Sequence, residues 1–297
     1  MLDLHRLRLL HEFLHRGTVS AVAEALAYSP STVSQQLATL EREAGATLLV
    51  PVGRGLQLTP QGRQLAAAAG RLLELEESAR SALASDEPGL GPVRVAVFQS
   101  ATHAIVPGAL DLLAERHPGL RVEIAELAPE AGISEVAARG VDLAVAEQYP
   151  GHTRERRSEL RRDVLGQDAI RLAVVDPGVG SLAELRDAAW VMEPVGTAAR
   201  TWAVQQCRAA GFEPDVRFEA ADLIAHIRLV AGGHAVGMLP DMVWAGDAPT
   251  VRLLDLPGRP RREVFAASRA ASHGRADLKA VRTALADSLA QTSVAGA

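Results

Sequence analysis

The sequence predicts an α/β chain of two unequal parts: a small helical module closed by a two-stranded hairpin and, beyond one long helix, a larger domain of two α/β lobes. Three observations carry that expectation. Three capped helical patterns begin before Arg42, a heptad seam runs from Leu65 to Ala82, and from Val93 onward strand patterns alternate with helix patterns in two series. With 297 residues, 48% of them hydrophobic, the chain is long enough to bury separate cores for both parts.

In the module, Leu7, Leu10 and Leu14 recur at helical spacing, and Gly17 stops the first helix. Ser20 is the expected N-cap of a second helix that turns Val22, Ala23 and Leu26 inward. After a turn at Ala27-Tyr28, Ser29 caps a third helix with Pro30 at its first position, where a missing N–H costs nothing. Val33, Leu37 and Leu40 share one face of this helix. Ser31, Thr32, Ser34, Gln35, Thr39 and Arg42 make up the other, which is small, polar and rich in hydrogen-bonding groups. Leu48-Leu49-Val50 and Leu56-Gln57-Leu58 read as short strands around a glycine turn with Arg54 at its tip. The module therefore spans residues 1–59.

Thr59 and Pro60 repeat the cap-plus-proline signal and open a helix over residues 60–84. Within it Leu65, Ala68, Leu72, Leu75, Ala79 and Ala82 form an a/d seam, with Glu76 and Arg80 paired at i, i+4. A seam of this kind needs a partner helix, either a second copy or the chain's own domain, and its length favours self-association. Residues 85–92 hold two prolines and two glycines and read as a hinge.

The remaining residues, 93–297, alternate in type. Strands are expected at Val93–Phe98, Leu120–Glu126 and Val141–Ala146, with helices at His103–Glu115 and Ile133–Arg139 between them. A second series has strands at Ala169–Val175, Trp190–Met192, Val216–Phe218 and Ala235–Leu239, and helices near 198–210 and 222–230. Such alternation implies a parallel sheet covered on both faces. The strand Val264–Ala267 and a last helix, Asp277–Leu289, are expected to return to the first lobe. That lobe would comprise about 93–162 and 265–297, and lobe two about 163–264, with crossings near Gln148–Asp163 and Arg262.

Charge and composition exclude several classes of function. The net charge is −5, and residues 1–59 carry five arginines against five acids, so the module has no strongly basic face. A single copy would hold a polyanion weakly and would need multivalency. A lone Cys207 excludes an intramolecular disulfide and reads as a small hydrophobe in a helix. No run of about 18 apolar residues occurs, and Leu4-His5-Arg6-Leu7-Arg8 interrupts any apolar leader, so a cytoplasmic protein without membrane contact is expected. G-x-S-x-G, P-loop, G-x-G-x-x-G and H-E-x-x-H are all missing, and the histidines lack ligand spacing. No enzyme, metal or cofactor is therefore expected. His226, on an apolar helix with Leu223, Ile224 and Ile227, reads as a satisfied, partly buried histidine.

The run Gly17-Thr18-Val19-Ser20-Ala21-Val22-Ala23-Glu24-Ala25-Leu26, followed by Ser29-Pro30-Ser31-Thr32-Val33-Ser34-Gln35-Gln36-Leu37 and Leu40-Glu41, resembles the helix-turn-helix of LysR-type transcriptional regulators. Leu58-Thr59-Pro60-Gln61-Gly62 is similar to that family's entry into its linker helix. The resemblance implies a winged helix-turn-helix on double-stranded DNA, a dimerising linker helix, and a two-lobed effector domain resembling periplasmic binding proteins. It also implies a homodimer or homotetramer. Where the family usually places an arginine just after the first wing strand, this chain has Pro51.

By the resemblance and the polar face together, Ser31, Thr32, Ser34 and Gln35 would enter the major groove and Arg54 the minor groove or a phosphate. Open parallel sheets bind ligands beyond the carboxyl ends of their strands. Two such ends lead into helix starts, at Gln99-Ser100-Ala101-Thr102 and Pro194-Val195-Gly196-Thr197, and their free N–H groups suit a small polar, anionic effector. Ser100, Ala101, Thr102, Gly196 and Thr197 are thus expected at the effector, with Gln148 and Val264 beside them near the crossings. The alternative is that Ser100, Thr102 and Thr197 only cap their helices. A second alternative is a helix-turn-helix that no longer contacts DNA, leaving a pure ligand-binding protein.

Overall fold

The computed structural model describes residues 1–53, 55–83, 92–153 and 157–295, excepting the side chains of 80–83 and 293–295. The module opens with α1 (Leu4–Arg16), which Gly17 ends in the left-handed region at φ 75°. Its buried positions are Leu7, Leu9, Leu10, Glu12 and Phe13, while Leu14 is 37% exposed. The buried stripe is displaced from the expected one because α1 packs on two sides. The second helix, α2 (Val19–Ala25), is capped by Thr18, whose hydroxyl accepts from the Ala21 amide at 3.1 Å. Ser20 is not its cap: the turn at Gly17 leaves Thr18 already extended, one step earlier. The third, α3 (Pro30–Ala44), starts at the expected Ser29 cap and buries Val33, Leu37 and Leu40.

The hairpin pairs β1 (Leu49–Val52) with β2 (Gly55–Leu58), and Pro51 lies within its first strand. Arg54 lies outside the described residues, as does all of the expected hinge except Pro92. The Glu41 carboxylate accepts from the amides of Leu48 and Leu49 at 2.7 and 3.0 Å, which ties the hairpin to the end of α3. The long helix α4 (Pro60–Leu83) begins where the Thr59 hydroxyl accepts from the Gly62 amide at 2.9 Å. Ala66, Ala69, Gly70 and Leu73 face inward against α1. A Cβ on Gly70 would come within 2.9 Å of the His11 ring, so glycine sets this close approach. Leu65 joins the module core, whereas Leu72 and Leu75 remain 46% and 68% exposed. Arg80 of the expected Glu76–Arg80 pair, and Ala82, fall among side chains outside the described set.

Lobe one is built from β3 (Val93–Val97), α5 (Gln99–Ala104), α6 (Val106–Arg116), β4 (Val122–Glu126), α7 (Pro129–Ala137) and β5 (Leu143–Gln148). The helix expected from His103 is two helices broken at Ile105. Pro107 has no N–H to return to the preceding turn, and the chain bends there. Next comes β6 (Leu160–Val174), far longer than expected because its first half carries three consecutive charged residues, Arg161, Arg162 and Asp163, where a strand pattern would alternate. Lobe two follows with β7 (Ala189–Met192), α8 (Ala198–Ala209), β8 (Asp215–Glu219), α9 (Leu223–Ala231), β9 (Gly237–Pro240) and the unanticipated β10 (Arg252–Asp255). The chain returns through β11 (Arg261–Arg269) and ends in α10 (Ala276–Ala295).

Among the described residues the main sheet has seven strands in the order β10-β6-β11-β5-β3-β4, with β9 on β6. It is parallel only in part. β3 pairs β4 and β5 in parallel, but β11 runs antiparallel to both β5 and β6, and β9 and β10 antiparallel to β6. The passage between lobes is therefore made inside strands, which fixes the lobes to one another more firmly than loops would. Separate apolar cores lie in the module around Leu10 and Leu37, in lobe one around Val95, Val264 and Leu285, and in lobe two around Trp190, Trp202 and Leu239.

Candidate functional site

Two regions gather polar groups, one exposed on α3 and one buried between the lobes. On α3 the Ser29 hydroxyl accepts from the Thr32 amide at 3.1 Å and lies 2.8 Å from both the Ser31 and Thr32 hydroxyls. Ser31, Thr32, Ser34 and Gln35 are all exposed on one face. The side-chain amide of Gln35 holds no hydrogen bond among the described residues, and its backbone carbonyl accepts from the Thr39 hydroxyl at 2.9 Å. Gln36, by contrast, is committed inward as the acceptor of Arg6 Nε at 2.9 Å. The outward face thus keeps a bifunctional amide and three hydroxyls on a helix anchored by its apolar side.

The second region lies where β5, β6 and β11 pass between the lobes. Arg262 of β11 is 2% exposed, and its guanidinium donates to Asp168 of β6 at 2.9 Å, to the Ser100 hydroxyl at 2.7 Å and to Glu147 of β5. The other Asp168 oxygen accepts from the Met242 amide at 3.0 Å. Burial works against the Arg262 charge, and Glu147 and Asp168 outweigh it, so its pKa is raised. Two carboxyl groups surround one guanidinium, and burial raises the Asp168 pKa in spite of Arg262. The Ser100 oxygen is occupied as an acceptor, and its own hydrogen remains for another acceptor.

Of the residues expected at an effector, Ser100 and Ala101 lie buried in α5, and Val264 is a fully buried wall of the same core. The Thr102 hydroxyl donates to Phe98 O at 3.2 Å. Thr197 caps α8, accepting from the Arg200 amide at 3.1 Å and donating to Pro194 O at 3.0 Å. Gly196, exposed at φ 97°, makes the turn just before it. Gln148 is not brought to this group. It stands on the opposite face of β5 from Glu147, donating to His152 O at 2.6 Å and facing Arg162 and Phe265.

Sequence reasoning missed the ionisable members. Arg262 shares the face of Val264 and Ala266, and Glu147 ends the apolar run Leu143–Ala146; charges in phase with a buried face were the available signal. Arg200 was also missed. It donates weakly to Glu193 O at 3.3 Å and lies 4.0 Å from Glu219, so much of its donor capacity is unspent. Burial first, and then the charge of Glu147, push the Glu193 carboxyl up to about 7. Tyr149, Glu193, Arg200, Trp202 and His226 line a cavity of about 20 Å³, room for one water-sized group. His226 Nε2 lies 2.8 Å from Ala220 O, and its buried Nδ1 has no protein partner among the described residues, so the expected full satisfaction is only half met. Burial lowers the His226 pKa and keeps the ring neutral. Across the lobes, Gln99 of α5 donates to the Asp222 carboxylate at 2.9 Å and accepts from the Leu223 amide at 3.0 Å at the start of α9.

The family model described as the LysR substrate binding domain matches residues 87–290, and that of the bacterial regulatory helix-turn-helix protein, lysR family, matches residues 4–63. The transcriptional dual regulator GltC of Bacillus subtilis (strain 168) is 27% identical over 257 residues, 84% of each chain. A full-length OxyR variant from Pseudomonas aeruginosa shares the fold with a TM-score of 0.70 at 19% identity, over 97% of this chain and 95% of that one. Full-length CbnR complexed with its target DNA gives 0.54 at 21% identity, over 97% and 100%. The chain belongs to the LysR family: it is a transcriptional regulator with a DNA-binding helix-turn-helix joined to an effector-binding domain.

Proposed function

We propose that α3 reads an operator in the major groove of double-stranded DNA through Ser31, Thr32, Ser34 and Gln35, with Arg54 of the wing at the minor groove or a phosphate. The observation that carries this reading is the uncommitted Gln35 amide on an exposed face, since an amide that both donates and accepts can pair with an adenine edge. The module's charges cancel, so affinity has to come from two or more copies. The exposed Leu72 and Leu75 of α4 support pairing through this helix, as a homodimer or as a homotetramer.

The effector is a small polar molecule held between the lobes, near Ser100 and Thr197. Arg262 is already neutralised, so an anionic group on the effector meets Arg200 at the first turn of α8 rather than a bare helix end. Binding there biases the Gln99–Asp222 contact and thereby the packing of lobes and readers, as an effector with different affinity for two states must. The protein acts in the cytoplasm and without catalysis; no helix among the described residues is long and apolar enough to cross a membrane. Gel retardation of the DNA upstream of the protein's own gene tests the reading. A shifted band that survives excess unrelated DNA supports it, and no shift at any protein concentration overturns it.

A further inference from the structure

The DNA-reading module is not left free on its linker helix. Glu77 of α4, only 12% exposed at its side chain, accepts from Arg269 Nε at 3.0 Å and pairs with Arg139 Nη1 at 2.6 Å. Arg269 is 6% exposed and is itself held by lobe one. It donates to the carbonyls of Val136 and Val141 at 3.0 and 2.7 Å and reaches Asp142 at 3.3 Å. Burial pushes the Glu77 carboxyl up, and the Arg269 hydrogen bonds together with the charges of Arg269 and Arg139 outweigh it, so its pKa ends lowered. A second contact lies alongside. Arg16, at the end of α1, donates through both Nη atoms to Glu135 of α7 at 2.9 and 2.8 Å. A Cβ on Gly140 would collide with Glu135 and stand 3.1 Å from Arg16 Nη2.

The two ends of β11 thus perform different tasks. Arg262 at its start gathers Glu147, Asp168 and Ser100 at the cleft, and Arg269 at its end grips the linker helix. Seven residue steps of extended chain separate them, about 23 Å. We propose that Glu77 is a positioning residue that latches the DNA-reading module onto lobe one, and that β11 couples this latch to the cleft. Engaged, the Glu77 carboxylate is matched by Arg269 and Arg139, and released it is hydrated, so the latch has two discrete states, engaged and released. The proposal rests on the effector reading above only for its direction, because the latch can be measured without DNA or effector.

Glu24 in α2 and Glu115 in α6 are exposed and far from both contacts in sequence. With Cys207 replaced by Ala, cysteines at these two positions carry nitroxides. Chains so labelled, diluted into unlabelled protein, report the module-to-lobe distance within one chain by double electron–electron resonance. The parent is expected to give one narrow distribution. Glu77→Gln, which keeps the shape and removes the charge, should at least double its width, and Gly140→Ala should widen it through the Arg16–Glu135 pair. Glu147→Gln, at the far end of β11, should widen or shift it. A broad parent distribution, or Glu77→Gln and Gly140→Ala distributions matching the parent, overturns the latch. A Glu147→Gln distribution identical to the parent, when Glu77→Gln has widened, overturns the coupling through β11. Unchanged far-UV circular dichroism in each variant excludes unfolding as the cause of any widening.

Discussion

Arg262 and Asp168 stand directly opposite one another on β11 and β6, 2.9 Å apart, and both are buried. That pair, with Glu147, joins the strands that pass between the lobes. Replacing Arg262 by Met leaves two carboxylates without their counter-charge, which should destabilise the effector domain by about 3–5 kcal/mol. Combining it with Glu147→Gln and Asp168→Asn should recover most of that loss. Calorimetric melting of the variants checks the ordering; a single Arg262→Met variant as stable as wild type would mean that the cluster is not ionised.

Glu193 makes the stability of lobe two depend on pH. Its carboxyl is raised from the usual 4.5 to about 7, chiefly by burial and secondly by Glu147. The native state therefore keeps a proton that the unfolded chain releases. The contribution is fully present below 4.5 and is lost as pH rises through about 7. Glu193→Gln should flatten the decline of melting temperature across this window and leave the variant more stable than wild type at about pH 8. Parallel melting curves for the two proteins would exclude Glu193 as the titrating group.

The lobes meet at a small polar clasp. Gln99→Ala removes both hydrogen bonds to α9, one of them to a carboxylate, and in this exposed setting the loss should be about 1 kcal/mol. The expected readout is faster amide hydrogen exchange at Leu223 and Ile224, with the α4 amides unchanged. Unaltered exchange at α9 would show that this clasp does not hold the start of α9.

Self-association through α4 predicts that Leu72→Glu with Leu75→Glu yields smaller particles in sedimentation velocity and loses specific DNA retention, because both side chains are exposed in the single chain. A wild-type protein that sediments as a monomer at micromolar concentration contradicts it.

The module was the most legible part of the sequence, because each of its helices is punctuated by a residue whose chemistry is local. Ser29 with Pro30, Thr59 with Pro60, and Gly17 each mark a boundary that the structure keeps. Where the reading slipped, at Thr18 instead of Ser20 and at Leu9 and Phe13 instead of Leu14, two equivalent residues stood close together and tertiary packing chose between them. The first half of β6 was unreadable for a different reason. Arg161, Arg162 and Asp163 are tolerated there because the first half of the strand stays at least partly exposed on both faces, so no apolar alternation announces it. At the cleft, the backbone signals led to Ser100 and Thr197, whereas Arg262, Glu147 and Asp168 are brought together only by the antiparallel register of β11. A pairing across 94 residues of chain has no local signature.

The reading of DNA by α3 is tested most directly by titrating the operator fragment with wild type, Gln35→Ala and Arg54→Ala at several salt concentrations. Gln35→Ala should lose about 1–3 kcal/mol at the operator while its binding to unrelated DNA stays unchanged. Arg54→Ala should weaken binding to all sequences and reduce the salt slope by about one. Operator affinity and salt slope equal to wild type in both variants would place the DNA interface elsewhere on the protein.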